Sequence, residues 1–138
     1  MKLLICGSEE ITPEYMFITD DEENYFEDIL DELINEIEAT AGNDVKLLTR
    51  GSNAGIDAMV NLYCADTGIE LEEKRPVKKL IEKDGELLRN IQLVNECDAG
   101  LIFCIKYQKF KDTDLDKISS MLEDRGKPVY IFPMEKYS

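Results

Sequence analysis

Apolar positions along the chain follow two alternating rhythms. Unbroken apolar runs at residues 3–6 and 100–105 read as strands buried on both faces, as in a parallel sheet covered by helices, and Val45-Lys46-Leu47-Leu48-Thr49 reads as another strand. Residues 128–132 read as a further strand. Residues 69–72, alternating apolar and polar, read as an edge strand. Between the strands the spacing becomes helical. Tyr25, Phe26, Ile29, Leu30, Leu33, Ile34 and Ile37 share one face, with Glu27, Asp28, Asp31, Glu32, Glu36 and Glu38 opposite, and Gly42-Asn43-Asp44 closes that helix. Ile56, Met59, Val60 and Tyr63 line a second helix, which Gly68 ends. A third covers residues 86–95, with Leu87, Leu88, Ile91 and Val94 apolar. A fourth is capped by Asp112 or Thr113, runs to Asp124 and turns Leu115, Ile118, Met121 and Leu122 inward before Gly126. Thr12-Pro13-Glu14 opens a short helical turn. The basic stretch 77–84 after Pro76 is ambiguous, and 106–111 reads as a polar, partly aromatic loop.

This alternation predicts an α/β fold: a three-layer, Rossmann-like sandwich with a mostly parallel sheet of about five strands, forming one domain over residues 1–138. In such sheets ligands bind at the carboxyl ends of the strands, where the strand order reverses. If the first strand lies between the second and the fourth, three loops meet there: Gly7-Ser8-Glu9, the turn from Arg50 to Gly55, and the loop that starts at Lys106. The second is the most informative. Leu47-Leu48-Thr49-Arg50-Gly51-Ser52-Asn53-Ala54-Gly55-Ile56-Asp57 runs from strand through a small-residue turn into a helix. A helix start leaves backbone N–H groups without intrahelical partners, a setting that suits a phosphate or another anion. Glycines there permit positive φ and close approach. Tight helix–sheet packing alone would also call for Gly51 and Gly55.

The chain has 30 acidic and 16 basic residues and a formal net charge of −14. Such a surface repels nucleic-acid backbones, so general DNA or RNA binding is not expected. The acids between residues 20 and 38 and at 70–73 fit solvated faces, or a docking surface for a basic partner. No apolar run reaches the roughly 20 residues of a membrane span, and the start does not suit a signal peptide, so a cytoplasmic protein without membrane association is expected. Cys6, Cys64, Cys97 and Cys104 form no CxxC pair and sit in or beside apolar segments, as reduced core thiols do. Histidine is absent, which removes the commonest general base; no metal site and no required cofactor are expected.

Several motifs together resemble the SLOG superfamily, and within it the YspA-like branch. They are Leu4-Ile5-Cys6-Gly7-Ser8-Glu9, then Arg50-Gly51-Ser52-Asn53-Ala54-Gly55-Ile56-Asp57-Ala58, and Gly85 followed by Arg89-Asn90. Asp98-Ala99-Gly100-Leu101-Ile102-Phe103 and Gly126-Lys127-Pro128-Val129-Tyr130 complete the set. The resemblance covers most of the chain. It implies a Rossmann-like fold, a nucleotide or nucleotide-derived ligand, and assembly into a homodimer. Glu9 departs from the branch pattern, which has arginine there. The glycine-to-Arg-Asn spacing is one residue longer. Lys111-Asp112-Thr113 stands in for a Gly-Thr turn. The Pro-Gly-Gly-x-Gly-Thr-x-x-Glu motif of the phosphoribohydrolase branch is missing.

These readings converge on a ligand sensor rather than an enzyme. Backbone amides of Gly7, Ser8, Gly51, Ser52 and Gly55 hold a phosphate in this expectation, with Asn53 in the same turn. Arg50 and, by the resemblance, Arg89 neutralise the phosphate, while Asp57 or Asn90 orients ribose or base. Asp57 can equally serve the helix dipole, and Arg89 can be a surface charge paired with Glu86 or Glu96. Tyr107 and Phe110 can stack on a base or simply pack their loop. The alternatives are a nucleoside N-glycosidase or phosphoribohydrolase using Glu9 or Asp57, and an acidic, non-catalytic protein-interaction module.

Overall fold

A computed structural model describes residues 1–18, 23–41, 44–76, 82–106 and 113–136. In chain order the elements are β1 (Lys2–Gly7), β2 (Tyr15–Ile18), β3 (Glu23–Tyr25), α1 (Phe26–Ala41), β4 (Lys46–Thr49), α2 (Gly55–Thr67), β5 (Glu70–Glu73), α3 (Glu82–Glu96), β6 (Ala99–Ile105), α4 (Thr113–Asp124) and β7 (Val129–Lys136). The strands form one sheet in the order β3-β2-β7-β6-β1-β4-β5. β5, β4, β1, β6 and β7 are mutually parallel, with Leu4 opposite Leu48 on one side and Gly100 on the other. The five strands read from the sequence are therefore all present, and β1 lies between β4 and β6.

Two further strands enlarge the expected five to seven. Tyr15–Ile18 pairs antiparallel with the end of β7 and with β3. The expected helical turn at Thr12-Pro13-Glu14 is instead a tight turn, closed by Tyr15 N–H donating to Thr12 O at 3.0 Å, which feeds β2. Tyr25 belongs to β3, opposite Met16, rather than to α1. Strand pairing overrides helical periodicity there, because Tyr25 sits at the point where the two patterns overlap. α3 starts at Glu82, four residues before the expected position, and β7 extends to Lys136 because β2 supplies a partner for its second half. Residues 42–43, 77–81 and 107–112, on which the Gly42-Asn43 stop, most of the basic stretch and the Tyr107–Phe110 loop fall, lie outside the described residues.

Period-two alternation distributes the strands' side chains between two cores. Leu3, Ile5, Leu47, Leu101 and Phe103 face α1 and α2, where Phe26, Leu30, Ile56 and Val60 meet them. Leu4, Cys6, Leu48 and Ile102 face α3 and α4, against Leu93, Val94, Leu115, Ile118 and Leu122. Each fully buried aliphatic or aromatic side chain contributes about 1.5–3 kcal/mol. Phe103 anchors the first core, stacked on Phe132 at 5.0 Å between ring centroids and edge-on to Phe26 at 4.9 Å. Tyr63 ties α2 to α1 by donating its hydroxyl to Asp31 at 2.6 Å. Lys127 satisfies the end of α3, donating from Nζ to the carbonyls of Val94 and Asn95 at 2.6 and 3.0 Å. Among the described residues the four cysteines form no disulfide, and no helix is long and apolar enough to cross a membrane.

Candidate functional site

β1 is the strand at which the parallel order reverses, so the carboxyl ends of β4, β1 and β6 lie side by side. The turn from β4 into α2 is shaped first by packing. Gly51 and Gly55 adopt positive φ of 76° and 63°. A Cβ on Gly55 would lie 2.5 Å from Glu9 Cα and from Ser8 O, and one on Gly7 would lie 2.5 Å from Ile56 Cγ1 and 2.6 Å from Phe103 O. α2 is thus seated directly on the end of β1, and this explains Gly7 and Gly55 without a ligand, whereas a Cβ on Gly51 would meet Arg75 Cγ at 2.9 Å. The turn also consumes its own donors. Ser8 N–H donates to Phe103 O at 3.1 Å, Gly51 N–H to Thr49 Oγ1 at 3.3 Å, Ser52 N–H to Asp57 Oδ2 at 3.0 Å and Ala54 N–H to Ser52 Oγ at 3.3 Å. The amides of Ser8, Gly51 and Ser52, expected to hold a phosphate, are engaged within the chain. The N-cap of α2, Ala54, offers no side-chain cap.

Below this turn lies a buried polar cluster. Arg50, at the end of β4, is 7% exposed and Arg89, in α3, is 6% exposed. They converge on one atom: Arg50 Nη1 and Arg89 Nη2 each donate to Asp114 Oδ2 at 2.9 Å. Asn90 Nδ2 donates to the other oxygen of Asp114, and Asn90 Oδ1 accepts from Arg89 Nε at 2.9 Å. Arg50 Nη2 also donates to Gly7 O at 2.8 Å, which links the cluster to β1. Asp57 Oδ2 stands 4.0 Å from Arg50 Nε. At the exposed rim, Ser52 Oγ donates to Glu9 Oε1 at 3.0 Å. Asn53 is exposed in the bend before α2.

Electrostatics separates the buried Asp57 from the half-buried Asp114. Burial acts on both to favour the neutral form. It prevails at Asp57, whose carboxyl lies above its ordinary range even though Arg50, the Ser52 N–H and Arg89 oppose it; the neighbouring Glu9 charge adds to the rise. At Asp114 burial is outweighed by hydrogen bonds from Asn90 and Arg50 and by the charges of Arg89 and Arg50, and the carboxyl lies below its ordinary range. Burial and the nearby Arg50 charge push the Arg89 guanidinium down, against Asp114, Glu86 and Asp57. Arginine begins so high that it stays a cation.

The sequence-predicted residues Gly7, Ser8, Glu9, Arg50, Gly51, Ser52, Gly55 and Asp57 are therefore neighbours, and Arg89 and Asn90 join them through Asp114. Asp114 itself was absent from the sequence reading. Its only signal was an acid in the first turn of a helix, which the helix dipole alone accounts for. Among the described residues no group of three or more cysteine, aspartate or glutamate side chains is placed to hold a metal. Compared with protein-family models, curated proteins and solved structures, the chain matches none.

Proposed function

We propose that this chain is a small-molecule binding module, on a Rossmann-like sandwich of the SLOG type, that takes a nucleotide or nucleotide-derived ligand at the carboxyl ends of β1, β4 and β6. One observation carries the reading. Polar side chains from β4, α2, α3 and α4 gather at the strand-order reversal, with two guanidiniums more than nine-tenths buried. Burying charge is costly, and the carboxyl ends of the strands at an order reversal are where such sheets take ligands. The test is mass spectrometry of small molecules released on denaturing the purified protein, run beside an Arg89→Ala, Gly51→Asp double variant. A nucleotide-type molecule present in the wild type and lost from the variant is the expected result. The same molecule retained by a folded variant would place binding elsewhere and overturn the reading.

A second reading, hydrolysis of a nucleoside N-glycosidic bond, is favoured by the unequal carboxyls. Asp57 is buried and holds its proton more tightly than usual, while Glu9 is exposed on the adjacent loop. Release of free base from an incubated nucleoside, lost in Asp57→Asn, distinguishes this from binding alone.

A further inference from the structure

We infer that this site selects the uncharged, hydroxyl-bearing part of its ligand, a nucleoside sugar, and discriminates against a phosphate. The inference rests on the proposed ligand class and sharpens it. The side-chain donors suited to a phosphate, and the Ser52 amide, already serve carboxylates of the chain, while the Ser8 and Gly51 amides serve Phe103 O and Thr49 Oγ1. The two guanidiniums share Asp114 Oδ2 at 2.9 Å each. The Ser52 amide serves Asp57 and the Ser52 hydroxyl serves Glu9. When these five groups are ionised, three carboxylates face two guanidiniums, and Arg75 beside Gly51 is itself paired with Glu73, so among the described residues an arriving dianion meets a net negative site. To reach the arginines it must displace Asp114, whose two oxygens accept from three side chains among the described residues.

What the rim offers instead is acceptors. Glu9 is exposed, and its carboxylate has capacity beyond the single Ser52 bond. Behind the rim, Asp57 Oδ1 is buried beneath the same turn and accepts no hydrogen bond among the described residues. A carboxylate acceptor beside a serine hydroxyl suits vicinal sugar hydroxyls, which donate without bringing charge. Glu9 also lies on the β1 loop and Ser52 on the β4 loop, so a ribose seated over the Ser52–Glu9 hydrogen bond would touch both loops at the reversal point.

The experiment is calorimetric titration of the full chain with the four common ribonucleosides and their 5′-monophosphates, in wild type, Glu9→Gln and Asp114→Asn. In the wild type one nucleoside is expected to bind at least tenfold more tightly than its own monophosphate. Glu9→Gln, a change at an exposed position, is expected to weaken that nucleoside about tenfold and the monophosphate less. Asp114→Asn, where it folds, is expected to close the gap by improving the monophosphate. A wild-type ratio near one, or in favour of the monophosphate, overturns this inference and leaves the proposed function standing. Failure of every nucleoside and every monophosphate to bind the folded wild type overturns both. The wild-type ratio decides the matter even if Asp114→Asn does not fold.

Discussion

At the carboxyl end of the parallel strands, charged side chains are buried and bonded to one another. At the amino end an apolar groove of about 480 Å³ lies between α1 and the sheet, with Leu3, Leu33, Ile37, Leu101 and Tyr130 among its walls. The two ends hold together by different means. The groove depends on area removed from water, which is non-directional and tolerates exchange of one apolar side chain for another. The cluster depends on partners, each of which becomes a liability once its mate is gone. Its acid–arginine geometry is thus far less replaceable than the aliphatic wall opposite.

The strongest way to break this contrast is Asp114→Ala. Two buried guanidiniums lose their shared acceptor, and unfolding in urea is expected to show a loss of about 3–5 kcal/mol at an unchanged denaturant slope. A loss below about 1 kcal/mol would mean that water replaces the carboxylate and that the end is softer than its burial suggests. Next in size is a paired comparison of glycines. Gly55 and Gly68 both have positive φ, 63° and 78°, but a Cβ at Gly68 meets nothing within 4 Å whereas one at Gly55 runs into the β1 loop backbone. Gly68→Ala is expected to cost about 1 kcal/mol for the left-handed conformation, and Gly55→Ala at least about 2 kcal/mol. Equal losses in thermal melts would show that the β1 loop yields and that α2 is not rigidly seated.

A smaller effect follows from pH. The Asp57 carboxyl is raised in the folded chain, so its contribution is fully present below the unfolded value of about 3.9 and is lost as pH rises through the folded value. Acidifying from neutrality to about pH 4 should therefore stabilise the wild type relative to Asp57→Asn, as read by melting temperature. Asp114 has the opposite sign. Its stabilisation is present above about pH 3.9 and is lost as pH falls through its lowered folded value, in wild type and variant alike. The smallest effect belongs to the groove. Tyr130 is 54% exposed, and Tyr130→Ser should change stability by no more than about 0.5 kcal/mol.

How far the sequence could be read depends on the range of the interaction involved. The five parallel strands were legible from local pattern: unbroken runs such as Leu101-Ile102-Phe103 report burial on both faces, and the alternation at Ile69-Glu70-Leu71-Glu72 reports an edge. β2 and β3 were not legible. Tyr15–Ile18 is only four residues long, sits between a proline turn and a run of acids, and becomes a strand only because the second half of β7 is there to pair with it. At the site, the glycine turn and Arg50 were visible from spacing, but their reading as a phosphate cradle missed that their partners are internal. Asp114 is one acid among the chain's 30 acidic residues. Only the approach of α3 and α4 to the end of β4 makes it the centre of the cluster, and that is a fact of tertiary structure with no local trace.

The antiparallel pairing of β2 with β7 joins residues nearly the whole chain apart, Tyr15 opposite Lys136. During synthesis the N-terminal hairpin would emerge early, yet its place in the sheet exists only once the last strand has been made. Until then Tyr15–Ile18 has only the three-residue β3 beside it, and its other edge is open. Closure of this loop is the most non-local step in the topology, and such steps are slow and leave strand edges exposed to other chains. A nascent or C-terminally shortened chain would thus offer this segment as its most adhesive part, at the edge of the sheet remote from β5 and well before any ligand could bind.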